Sequence, residues 1–283
     1  MSALPSYVLD PALPVLLRPD GAVQVGWDPR RAVLVRPPEG LTAAALADLV
    51  RTLQPGMTMP DLYAEAHRRG TPDPADLAVR VAALTEAGVL TVAAAHRNRT
   101  PTVRIHGRGP LSDLLVASLR CSGARVGHTR APKAPAPPET TDLVVLADYL
   151  VAEPRVVRDL HSAQTAHLPV RVRDGCGLVG PLVFPGRTSC LTCADLHRSD
   201  RDAAWPVVAA QLRGTVGTAD RATVLATAAV ALERIHRVLR AVRETGDPSA
   251  AADPDATNTT WEFDVGSHTT VVRRWSRHPR CTC

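Results

Sequence analysis

Aromatic residues are scarce in this chain of 283 residues, which has four Trp, three Tyr and two Phe. A core built around stacked rings is therefore excluded, and the 45% apolar content must pack mainly as Ala, Val and Leu. Long uncharged apolar runs are also missing. The most helix-like apolar stretch, Thr223 to Leu239, carries Glu233, Arg234, His236 and Arg237, which reads as a soluble helix and argues against a membrane span. The N-terminus has no basic flank, apolar core and small-residue cleavage site, so no secretory signal is expected and the reading is cytoplasmic. A strong charge of either sign is absent too: 33 basic against 28 acidic residues leave +5, an ordinary solvated surface. Nucleic acid is not expected as a partner on that balance. Also absent are a Gly-x-Ser-x-Gly elbow, an HExxH motif and paired carboxylates for acid–base work.

What is present divides into two parts. Val15–Leu17, Ala22–Val25 and Ala32–Val35 read as short strands separated by turns at Pro19-Asp20-Gly21 and Asp28-Pro29. Helices are predicted over Ala43–Leu53, capped by Thr42, over Met59–Arg68, entered through Pro60, and over Ala75–Ala87, entered through Pro74. Gly88 ends the third, and Val89–Ala93 is a last strand. This is the pattern of a small winged-helix-like α+β domain over residues 1–95. After a polar boundary at His96–Pro101, strands at Thr102–His106, Ala124–Gly127, Asp142–Leu146 and Leu168–Val172 alternate with helices at Leu111–Cys121 and Glu153–His161. That β-α-β order predicts a mostly parallel, Rossmann-like sheet. The stretch Ala131–Pro138 is expected to be an exposed, partly extended loop. Helices at Trp205–Leu212 and Arg221–Arg243 and a hairpin of Thr260–Val265 with Thr269–Arg273 complete the second part, residues 100–283.

Cys190 and Cys193 form a CxxC pair in what reads as a polar turn, and Cys281 and Cys283 form a CxC pair. Four thiolates in two pairs suit one tetrahedral zinc ion, which would tie the tail to a loop far upstream. With four protein ligands such a metal has no open position, so it is structural and not catalytic. Cys121 reads as a core residue at the end of an apolar helix, and Cys176 as a small residue in the loop Gly175-Cys176-Gly177. Asp195, His197, Asp200 and Asp202 lie among Arg198 and Arg201 and read as ion pairs and helix caps around the zinc loop.

Gly107 and Gly109 sit between a strand and a helix, the context in which backbone amides cradle phosphate. The pattern is broken: Ser112 takes the third glycine position, Pro110 removes an N–H and Asp113 brings negative charge to the first turn. No acidic residue ends the second strand, where the sequence is Arg125-Val126-Gly127-His128. A vestigial turn kept for packing is the expectation.

The strand and turn Val103–Gly109, the strand Asp142–Asp148 and the run Gly177–Val183 leading into Pro185–His197 together resemble the ThiF/E1-like family. The likeness is to its divergent members associated with thiazole/oxazole-modified peptide (cyclodehydratase) pathways. In that family a second CxxC closes the zinc site, so Cys281-Thr282-Cys283 is a departure. The first 95 residues are similar to the leader-peptide-binding domain of such pathways. That resemblance implies a peptide added as a strand near Ala32–Val35, beside the helix Ala75–Ala87. Of the family's nucleotide-binding elements only Gly107, Gly109 and Asp148 match; Arg130 and Lys133 lie in a short proline-rich segment with no helix to hold them.

The reading that results is a non-catalytic scaffold, a pseudoenzyme with structural Zn²⁺. It would bind a peptide or protein partner and present it to a separate modifying enzyme. The resemblance implies a homodimer, and ATP–Mg²⁺ is not expected to bind. Two alternatives stand beside it. One is an ATP-dependent adenylyltransferase or cyclodehydratase component. The other is a winged-helix DNA-binding regulator, disfavoured because Ala75–Ala87 sets Asp76 and Glu86 against Arg80 alone.

Overall fold

The computed structural model describes residues 4–70, 73–93, 99–131, 140–254 and 256–283. The chain divides into two compact units, residues 1–96 and 97–283.

The first unit runs β1 (Ser6–Leu9), β2 (Val15–Leu17), β3 (Val23–Val25), β4 (Val33–Val35), α1 (Ala43–Arg51), β5 (Met57–Thr58), α2 (Met59–Arg68), α3 (Pro74–Glu86) and β6 (Leu90–Ala93). It carries two antiparallel sheets, β2-β3-β4 and β5-β1-β6. The helix starts follow from local chemistry. The Thr42 hydroxyl accepts the Ala45 N–H, and the Asp73 carboxylate accepts the Ala75 N–H ahead of Pro74. Gly88 takes φ 73°, the left-handed geometry that lets the chain leave α3 and enter β6. Leu46, Leu49, Val50 and Leu53 of and after α1 pack with Leu62, Leu77, Val81 and Leu84 in one core.

The second unit contains β7 (Thr102–His106), α4 (Pro110–Leu119), β8 (Arg125–Thr129), β9 (Leu143–Ala147), α5 (Pro154–Ser162), β10 (His167–Arg173), β11 (Cys176–Val179), α6 (Leu191–Arg201), α7 (Trp205–Leu212), α8 (Arg221–Thr245), β12 (Thr259–Asp264) and β13 (Thr269–Arg274). Its seven strands lie in the order β13-β12-β11-β10-β9-β7-β8. Strands β8, β7, β9 and β10 are parallel, while β11, β12 and β13 join antiparallel. The whole is a mixed α/β architecture with a small α+β unit and a larger Rossmann-like sheet.

Strand β9 shows why helices must cover both sheet faces. Its residues alternate between two clusters, Leu143, Val145 and Ala147 on one face and Val144 and Leu146 on the other. A strand buried on both faces reads as a continuous apolar run, which LVVLA is. Helices α4 and α8 cover the first face. Val224, Ala228, Ala231, Ile235, Val238 and Val242 recur every three or four residues along α8 and meet Leu111, Leu115 and Leu119 of α4. Helix α5 covers the other face through Val156 and Leu160. None of the helices among the described residues is long and apolar enough to cross a membrane.

Several expectations need correction. Cys121 is exposed beyond the end of α4 and not part of the core. Cys176 opens strand β11 instead of sitting in a loop. The cysteine pair Cys190/Cys193 begins helix α6 and does not lie in a polar turn. The proline-rich loop and the boundary at His96 fall largely outside the described residues, as does Lys133.

Candidate metal centre and the glycine turn

Helix α6 organises the cysteines. Cys190 is its N-cap, and the Cys193 N–H donates to the Cys190 Sγ at 3.4 Å. Both residues are almost fully buried beside Val183. The tail brings Cys281 and Cys283 to them, although the pairs lie 91 and 90 residues apart in sequence. The Sγ atoms are 3.7 Å apart for Cys190–Cys193, 3.6 Å for Cys190–Cys281 and 3.4 Å for Cys193–Cys283. All four lie within 4.8 Å of one another. A disulfide would need about 2.05 Å. Thiolates placed tetrahedrally about 2.3 Å from a zinc ion are instead about 3.8 Å apart. The four-cysteine cluster is thus consistent with a structural metal site.

The surroundings hold the tail in place. The His278 N–H donates to the Cys193 Sγ at 3.3 Å, and the Cys281 N–H donates to the His278 carbonyl. Burial works against the Cys193 thiolate, but the backbone donors and neighbouring thiols outweigh it and take that thiol down to about 7. Burial pushes Cys190 up, and it also pushes Cys283 up, to about 11. His278 Nε2 lies 2.7 Å from Asp200, which also pairs with Arg280. His197, Asp200 and His278 form a second compact group. Its members are taken up by one another and by the tail: His278 Nδ1 accepts the Arg280 N–H, and His197 Nε2 meets the Ser276 carbonyl. Asp195 pairs with Arg198 at 2.8 Å and accepts the Trp205 indole N–H. The Arg198 guanidinium lies over both Trp205 and Trp275, at 5.2 and 4.8 Å. Of the residues singled out from sequence, Asp195 and Asp200 thus sit beside the centre, whereas Asp202 caps the turn into α7 through the Ala204 N–H.

The glycine turn has a different logic. Gly109 precedes α4 in an extended conformation, φ 176°, so backbone strain does not require a glycine there. Proximity does. A Cβ on Gly109 would fall 2.7 Å from Asp148 Oδ1, and one on Gly107 would fall 2.7 Å from Asp148 Oδ2 and 2.6 Å from the Ala147 carbonyl. Asp148 follows β9 with φ 71° and is 1% exposed. It accepts the N–H groups of Leu111 at 3.0 Å and Ser112 at 3.2 Å, the first free amides of α4. Burial pushes its carboxyl upward, opposed by the Ser112 and Leu111 hydrogen bonds. The structure therefore brings Gly107, Gly109 and Asp148 together, with the carboxylate on the amides that a phosphate would use. Asp113 points elsewhere and pairs with Arg130 at 3.2 Å, both exposed. The role of Asp148 as a cap was not readable locally, because the bonds span 36 and 37 residues.

No family model matches the chain, and no curated protein matches it. Solved structures do. The heterocyclase TruD superposes with a TM-score of 0.64 at 17% identity, over 98% of this chain and 42% of that one. MccB of E. coli, solved with ATP, superposes with a TM-score of 0.57 at 12% identity, over 98% of this chain and 99% of that one. MccB solved with AMPCPP and MccA gives 0.57 at 11% identity, over the same shares. The chain spans about two-fifths of the heterocyclase chain and nearly the whole of MccB. It thus shares the fold of the heterocyclase TruD and of MccB, as a distant structural link. This corrects one expectation outright. Exclusion of ATP–Mg²⁺ does not stand, because chains of this fold are solved with ATP and with AMPCPP bound. The broken glycine pattern describes one turn, and that is too little to exclude a nucleotide from the fold.

Proposed function

We propose that this chain is the E1-like, peptide-binding component of an ATP-dependent peptide-modifying system of the adenylyltransferase or cyclodehydratase kind. The observation that carries this reading is the superposition of 98% of the chain on MccB solved together with a nucleotide analogue and MccA. Residues 1–95 serve as the recognition domain and 100–283 as the E1-like domain. In the former, β4 is an edge strand that pairs only with β3 among the described residues. Helix α3 lies beside it, where the Arg80 guanidinium donates to the Arg36 carbonyl at 3.2 Å. Leu34 is 54% exposed on that strand. An extended peptide adds there as a further strand, backbone pairing supplying affinity and α3 side chains selecting the sequence. In the E1-like domain, Cys190, Cys193, Cys281 and Cys283 hold one zinc ion, which supplies structural cross-linking and no open coordination position.

Selection of a displayed peptide library against zinc-loaded protein, followed by hydrogen exchange, tests the recognition role. The expected result is enrichment of a peptide that protects residues 33–35 and α3. Enrichment without protection there, or no enrichment, overturns it. A narrower reading, in which the chain only presents its peptide to a separate enzyme, draws on the Asp148 carboxylate seated on the α4 amides. Calorimetric titration with ATP–Mg²⁺, with and without the selected peptide, separates the two. Heat of binding places the nucleotide step in this chain, and its absence moves that step to a partner enzyme.

A further inference from the structure

A cavity of about 510 Å³ lies between α5, the end of β10, α6, α7 and the tail Cys281–Cys283. It is separate from the glycine turn, and neither Gly107, Gly109 nor Asp148 lines it. Five arginines do: Arg158, Arg171, Arg173, Arg198 and Arg213, against the single acidic side chain of Asp195. Two of the five are matched. Arg198 pairs with Asp195, and Arg173 pairs with Glu262 at 2.7 Å. Among the described residues Arg158, Arg171 and Arg213 have no acidic partner within ion-pair distance. Arg171 makes one hydrogen bond there, from Nη1 to the Leu150 carbonyl at 3.1 Å, which leaves most of its planar fork open. Burial, Arg198 and Arg173 push its guanidinium down, against the pull of Asp195, to about 10.

The remaining lining is largely apolar and includes Leu150, Val157, Ala209 and Trp205, with His161, Thr192 and Thr282 as further polar members. Cavities of this size, apolar with a few convergent polar groups, are those that enclose small organic ligands. Guanidinium forks facing apolar walls select a planar anion carried on a short carbon chain. We propose that this cavity is a second ligand site of the protein, which holds a carboxylate-bearing segment of a bound peptide through Arg158, Arg171 and Arg213. That a peptide supplies the carboxylate rests on the recognition role above; the anion site itself does not.

The test uses the full zinc-loaded chain and fluorescence anisotropy with dye-labelled pentaglutamate, and with pentaglutamine as its neutral counterpart. Pentaglutamate is expected to bind, more weakly as salt rises, and pentaglutamine not to bind. Arg158→Ala and Arg213→Ala alter exposed side chains and are expected to leave the fold intact; each is expected to weaken binding about fivefold to tenfold, the scale of one solvent-exposed hydrogen bond. Arg171→Gln is expected to cost more, with circular dichroism confirming the fold. Equal binding of the two peptides, no binding of either, or pentaglutamate binding that survives Arg158→Ala and Arg213→Ala overturns the proposal. Displacement of pentaglutamate by equimolar inorganic phosphate overturns the carboxylate assignment. The selected library peptide separates the two proposals. If it still protects β4 while pentaglutamate fails to bind, the cavity assignment alone falls. If pentaglutamate binds and β4 is never protected, the recognition role alone falls.

Discussion

Helices α6 and α4 both begin at a site of chemical interest, and the two beginnings are finished differently. At α6 the cap is local: Cys190 receives the N–H of Cys193 three residues on, and three further thiols converge around a shared centre. At α4 the cap comes from Asp148, 36 and 37 residues away, and its carboxylate lies directly on the amides. The first arrangement gathers four like groups that would repel one another as thiolates and that a cation would reconcile. The second is closed with its own anion. With the metal proposed above, one helix start depends on something the chain must bind, while the other is self-contained.

Metal removal should break this comparison most strongly. A strong chelator, or Cys193→Ser, is expected to destabilise the second unit by several kcal/mol, since metal binding and folding are coupled. Thermal unfolding with and without added zinc checks this, and equal midpoints would refute the metal centre. Acid should drive the two regions apart. Protons compete with metal at the cysteines. His167, fully buried beside Thr165, has its pKa lowered by burial to about 4. The unfolded chain then holds a proton that the folded one refuses, so stability is lost as pH falls from about 6.5 to 4. The loss from this residue is about 3 kcal/mol. His167→Phe should flatten that slope in denaturant titrations. Asp148 acts with the opposite sign. Its folded pKa is raised by burial, so its protonation below that value favours the fold, and Asp148→Asn should make the acid loss steeper.

A smaller effect sharpens the account of the turn. Asp148→Ala leaves two amides of α4 unpaired and should cost about 2 kcal/mol. Gly109→Ala, which sets a methyl against the same carboxylate, should cost a similar amount. The double variant should cost less than the two added together, because removal of the carboxylate makes room for the methyl. Strict additivity would show that the glycine is required for another reason. The smallest expected effect is Trp275→Phe, which keeps a ring under Arg198 but loses the indole bond to the Thr260 hydroxyl, at about 1 kcal/mol.

Much of this was legible in the sequence wherever the signal is local. Thr42, Pro60, Pro74 and Gly88 marked helix limits that the structure keeps, and the helix-like apolar stretch from Thr223 to Leu239 placed α8. Elements that depend on distant partners were not legible. Strand β1 exists because Ser6 to Leu9 pair with residues 90–93. Strand β11 contains Gly177, which reads as a loop residue. In fact it is excluded from bearing a side chain by Thr227 and Phe263, both remote in sequence. Helix α6 has a polar sequence, LTCADLHRSDR, held in place through its cysteines, its salt bridges and the tail, with little apolar stripe of its own.

The interlock of Gly107, Gly109 and Asp148 also constrains the order in which this turn can change over generations. While the carboxylate stands, a larger residue at either glycine meets it head-on. A glycine at position 148 would relax the left-handed backbone there, remove the carboxylate from beside Gly109 and bare the two amides in a single codon change, while the Ala147 carbonyl would still hold position 107 to glycine. A side chain at 109 therefore becomes tolerable only after a change at 148, whose own cost is the loss of the α4 cap.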